Sequence, residues 1–120
     1  MGKEFIPYEQ ALQLKELGFD EPCFGYHNLD PYLPNPTFNL VIPFEHEWCL
    51  PAPLYQQAFR WFRERKYQAE ILWRGDTGDF CWKIGEFEYG SHFFSDSGFN
   101  TYEEAELACL KELIEIVKNK

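Results

Sequence analysis

The chain has 120 residues, enough for one domain with a real core and no metal or disulfide staple. Twenty acidic residues against eleven basic ones leave a formal charge of -9, which disfavours a nonspecific grip on nucleic acid. No run reaches the roughly 18 apolar residues that a membrane span needs, so no membrane partner is expected.

The start, MGKEFIPYEQ, lacks the apolar segment of a secretory signal. Cys23, Cys49, Cys81 and Cys109 contain no CxxC pair, so reduced thiols in a cytoplasmic protein are expected and no structural zinc site is. Aromatic residues make up 19% of the chain, more rings than so small a core can hide, and some should line a surface.

Residues 7–17 read as a short helix. Pro7 suits its first turn, and Ala11, Leu14 and Leu17 give an apolar stripe. Gly18 supplies a left-handed C-cap, with Phe19 folding back toward Leu14.

Residues 20–53 hold seven of the eight prolines, which excludes long regular elements. Phe24, Tyr26, Tyr32, Phe44 and Trp48 make the stretch too apolar for a disordered linker. It reads as an ordered loop over the core, with a short edge strand at 37–42. A connection of this length is often functional. Phe24, Tyr26, Tyr32, Phe44, His46 and Trp48 are therefore the first candidate binding residues.

Residues 54–66 form the next helix. Leu54, Ala58 and either Trp61 or Phe62 form an inward stripe, while Arg60 and Arg63 face outward as a second candidate binding surface. Residues 67–74 and 80–89 alternate as two strands around the turn GDTGD. Trp73 and Trp82 mark the buried face of this hairpin. The apolar phase changes at Gly85, which suggests a bulge. A two-stranded hairpin is marginal alone, and the 37–42 strand offers a third member. Ser91 to Asn100 reads as a polar connection.

The last stretch, 101–118, is the plainest helix. Thr101 and Glu104 have capping-box spacing. Leu107, Leu110, Ile114 and Val117 recur at spacings of three and four, with Ala105, Leu113 and Ile116 widening the stripe. The expected fold is a single α+β domain. A small antiparallel sheet packs against three helices at 7–17, 54–66 and 101–118.

Chemistry is sparse. No GxGxxG, Walker loop, HExxH or GxSxG occurs, and no cofactor or metal is expected. His27, His46 and His92 are scattered, and ordinary polar histidines explain them. Cys23 with His27, four positions on, is the best nucleophile pair on offer. Asp76 with Asp79, and Glu86 with Glu88 on one strand face, are the carboxylate pairs. With twenty acids such pairs arise by chance, so the reading leans away from an enzyme.

The leading expectation is a noncatalytic protein-interaction or accessory module, with oligomeric state left open. The alternatives are nucleic-acid association through the basic and aromatic face of 54–66, where Arg60, Arg63 and Arg65 interleave with Trp61, Phe62 and Tyr67, and a small hydrolase-like enzyme.

The segments YEQALQLKELGFDEPCFGY (8–26), APLYQQAFRWFRERK (52–66) and TYEEAELACLKELIEIVK (101–118) resemble a family of small uncharacterised proteins of Bacteroides-type bacteria and their phages. The resemblance implies an intracellular or phage-encoded accessory protein. It implies no activity and no site residues.

Overall fold

A computed structural model describes residues 4–21, 23, 25–28, 37–40, 49–88, 90, 92–95 and 98–119. The architecture is α+β, with three helices and antiparallel strands among the described residues. The chain divides into two units, Met1–Ala58 and Phe59–Lys120.

In the first unit, helix α1 spans Tyr8–Glu16. Gly18 adopts a φ of 105°, and the Phe19 N–H donates to the Leu14 carbonyl at 3.0 Å. Both side chains are buried, so the expected C-cap and its hydrophobic closure form.

Three four-residue strands follow: β1 at Gly25–Asn28, β2 at Thr37–Leu40 and β3 at Cys49–Ala52. They form a sheet of order β2-β1-β3, with both neighbours antiparallel to β1. The 20–53 stretch is therefore more than a wrapping loop. Its prolines limit strand length rather than forbid strands, and Pro51 sits on an edge strand, where a missing N–H is tolerated.

The strand near 37–42 exists and lies at an edge, as expected. It pairs with β1, however, and not with the 67–89 hairpin. On β1, Gly25 and His27 are buried while Tyr26 and Asn28 are half-buried. Helix α1 packs against β3, and a backbone bond from Ile6 N–H to the Pro53 carbonyl (2.8 Å) ties the chain start to the end of β3.

Helix α2 spans Tyr55–Glu64, and the boundary between the units falls within it. Tyr55, Ala58, Trp61 and Phe62 are buried. After it, Lys66 takes a φ of 77° and turns the chain directly into the second unit's sheet.

Strand β4 (Tyr67–Arg74), β5 (Asp79–Glu86) and β6 (His92–Phe94) form a sheet of order β4-β5-β6. The missing third strand thus comes from the segment read as a polar connection. Its three residues HFF are too short to show a period. No bulge occurs at Gly85, which pairs in register with Gln68 and His92. The phase change has another cause. The strand ends at Glu86, and Phe87 and Glu88 lie in a turn. Glu86 and Glu88 therefore do not share a strand face.

Helix α3 spans Tyr102–Lys118. Thr101 caps it, its Oγ1 accepting from the Glu104 N–H at 3.1 Å. The helix packs on β4 and β5, where Trp82, Ile84 and Glu86 are buried. Its fully covered residues are Ala105, Cys109, Leu110, Leu113 and Ile114. Leu107, Ile116 and Val117 are only half-buried, so the seam runs closer to Cys109 than the hydrophobic stripe alone suggests. A small thiol lets the helix approach the sheet.

Candidate interaction surface

Phe24, Tyr32, Phe44, His46 and Trp48 lie outside the described residues. Tyr26 is half-buried on β1, whereas Arg60 and Arg63 are exposed on α2. The aromatic residues interleaved with the arginines are not on that surface. Trp61, Phe62 and Tyr67 are buried. Arg65 lays its guanidinium 3.5 Å from the centroid of the Trp61 ring and donates to the Trp61 carbonyl. The rings that would stack on bases are packed inside instead.

The catalytic candidates resolve into structural roles. His27 is buried and its Nε2 lies 2.9 Å from the Ile6 carbonyl oxygen, which makes that nitrogen the protonated donor. Tyr8 and Phe38 flank its ring. The Cys23 thiol donates to the Glu21 carbonyl at 3.3 Å and not to this ring. The Cys23 thiol is itself pushed up to about 11, first by burial and then by the charge of Glu21, so it stays protonated.

Cys109 is pushed up to about 12, by burial and then by Glu106 and Glu112. Cys23, Cys81 and Cys109 are free thiols. Asp79 is held below the usual carboxylate range by hydrogen bonds from Arg74 and then Thr77. Arg74 donates to both its oxygens, at 2.7 and 2.8 Å. Gly98 lies against this pair, leaving no room there for a β-carbon. Asp79 thus ties the two ends of the 74–79 turn together. Among the described residues no three His, Cys, Asp or Glu side chains gather as a metal site, and no helix is long and apolar enough to cross a membrane.

What the second unit does present is apolar surface. Strand alternation puts Trp82 and Ile84 under α3, and Lys83, Cys81 and Gly85 on the opposite face. Register sets Glu70 and Phe94 beside Lys83, and Leu72 beside Cys81. The Lys83 ammonium lies 5.8 Å from the Phe94 ring centroid. Phe94 is 61% exposed and Phe87 57%. A shallow depression of about 300 Å³ opens here, lined by Glu70, Lys83, Phe87 and His92 among others.

On the helix-covered face, a run of rings links Trp73 to Phe80 (4.9 Å) and Phe80 to Tyr102 (6.0 Å). Trp73 is not buried with Trp82 but 59% exposed. It stands on the edge strand at the turn end, against Phe80, whose ring in turn meets Tyr102 in the first turn of α3. One sequence signal marked part of this surface: Leu72 is an apolar residue on an otherwise polar strand face.

Glu106, half-buried on α3 between Tyr102 and Leu110, is raised to about 7, mainly by burial and next by Glu103. The unfolded carboxyl has its ordinary value of 4.5, so the sign is fixed. The stability contribution is whole below that value and is lost as pH rises through 7. Glu106→Gln should therefore stabilise the protein at about pH 8 by about 1 kcal/mol, the full conversion being discounted for solvent screening of a half-exposed group. The gain should vanish near pH 4. Urea unfolding at the two pH values measures it, and an equal effect at both would refute it.

Comparison with protein-family models, curated proteins and solved structures found no match.

Proposed function

We propose that this protein is a noncatalytic intracellular interaction module whose partner is another protein. One observation carries the reading. Leu72, Trp73, Phe87, Phe94 and Tyr102, the large apolar side chains exposed among the described residues, all belong to the second unit. Scattered exposed apolar residues are ordinary, but Phe87 and Phe94, each more than half exposed and set near Lys83 on the sheet face opposite α3, make a patch that suits burial by a partner. Phe94 and Phe87 supply the apolar anchors, and Lys83 and Glu70 supply charge of both signs beside them. Free thiols fit an intracellular setting. The roles found for His27, Cys23 and Asp79 weigh against catalysis. The inward packing of Trp61, Phe62 and Tyr67 weighs against base stacking.

The test compares full-length wild type with the double variant Phe87→Ser, Phe94→Ser as baits in a host lysate. Both side chains are exposed, so circular dichroism should be unchanged. The reading expects a defined protein retained by wild type and lost from the variant. Equal retention by the two, or no protein retained by either, would refute it.

A further inference from the structure

Among the described residues, strand β4 is an edge strand of eight residues, without proline or bulge. Its open side can be read from its neighbour. Phe80 gives its N–H to Phe99 (2.9 Å) and takes the Phe99 N–H on its carbonyl (2.7 Å), so both groups point away from β4. Trp73, opposite Phe80, therefore turns its own N–H and C=O to the outside. Alternation places those of Ile71 and Ala69 there too. The Gln68 side-chain amide already covers the Ala69 carbonyl at 3.2 Å. The open groups thus concentrate in the turn-proximal half, where Glu70, Leu72 and Trp73 are also exposed. Such an edge recruits another strand unless something blocks it.

We propose that this edge pairs with the same edge of a second copy, antiparallel, with the two-fold axis at Leu72. The argument is one of register. Faces match across the pair only if the two residue numbers sum to an even value. Centring on Glu70 sets two carboxylates against each other and Lys66 against Arg74. Centring on Ile71 sets Glu70 against Leu72 and Arg74 against Gln68, and its one opposite-charge pairing, Lys66 with Asp76, falls beyond both ends of the strand. Centring on Leu72 sets Glu70 against Arg74 twice, Leu72 against Leu72, and Ile71 against Trp73 twice.

In that register Ile71 and Trp73 exchange the open backbone groups, and the Trp73 ring gains a neighbour across the seam. Arg74 holds Asp79 through Nε and Nη2, which leaves Nη1 for the second copy's Glu70. The two three-stranded sheets become one of six strands. This inference does not rest on the partner reading above, because Phe87 and Phe94 lie off the edge.

Sedimentation equilibrium on the full chain is the test. Wild type should approach twice the 14.3 kDa of one chain as concentration rises. Leu72→Lys, which brings two like charges together at the axis, should weaken association by on the order of tenfold or more without altering circular dichroism. Register is read by oxidation in a background with Cys23, Cys49 and Cys81 changed to serine. Leu72→Cys should cross-link, since directly opposed residues of a non-bonded pair lie about 4.5 Å apart. Glu70→Cys should not, its two copies being roughly 13 Å apart. A wild type that stays at one-chain mass at its highest soluble concentration overturns the proposal. So does a dimer indifferent to Leu72→Lys, or preferential cross-linking at position 70.

Discussion

Leu110→Ala is expected to cost about 3 kcal/mol of stability, within the range for a buried leucine whose site cannot collapse. Leu110 is fully buried in the middle of α3, on the side that meets β4 and β5. Alanine is the better helix former, so propensity alone predicts a small gain. Any large loss must therefore come from the emptied space between helix and sheet. Because Leu113 and Ile114 are equally covered, neighbours are held in place and relax little into the gap. Urea unfolding reads the effect as a lower midpoint at unchanged slope. A loss below about 1 kcal/mol would mean that α3 does not shield the sheet, and the second unit's architecture would have to be abandoned.

Gly25→Val is expected to cost about 2 kcal/mol, although it places a strong strand former in a strand. A β-carbon at Gly25 would stand 2.8 Å from Cε2 and Cζ of Phe38 and 3.1 Å from Cε1 of Phe5. Those rings pack against one another at a 48° tilt with centroids 4.8 Å apart, and the Phe38 ring also lies 5.7 Å from that of His27. Valine adds two further methyl groups to that wall. The glycine is required for closeness, not for an unusual backbone angle. Gly25→Ala should cost less than valine, and amide exchange across β1 should accelerate in the same order. A valine variant as stable as wild type would show that the Phe5–Phe38 ring pair does not rest on the strand.

Sequence patterns revealed the elements whose signals are local. Helix α3 announces itself by the Thr101 cap and a long apolar stripe, and the hairpin by alternation around GDTGD. Each is fixed by residues within a few positions of one another. In the first sheet only the strand near 37–42 is legible, and its pairing with β1 is not. Its strands are four residues long in a proline-rich stretch, and they are defined by pairing partners far along the chain. The three-residue β6 was hidden for the same reason.

The surface was less legible still. Trp73 shares a sheet face with buried Ile84 and Trp82, yet at the edge of the sheet it stays 59% exposed. Phe87 continues a strand-like pattern just past the strand's end. Arg60 and Arg63 are exposed as read, but the rings beside them belong to the core. Five of the eight candidate binding residues lie outside the described residues.

The strand order of the first sheet sets the two units apart in how they can assemble. The hairpin of the second unit closes across a turn at 75–78, whereas Asn28 must find Cys49 across everything from 29 to 48. Each doubling of such a span adds only about 0.6 kcal/mol of closure entropy, but long-range pairings arrive late. Strand β1, made early by a ribosome, therefore waits with one side unsatisfied until β3 exists. During that interval its exposed edge is the chain's weak point for misassociation, and a helper that holds nascent chains would act there first.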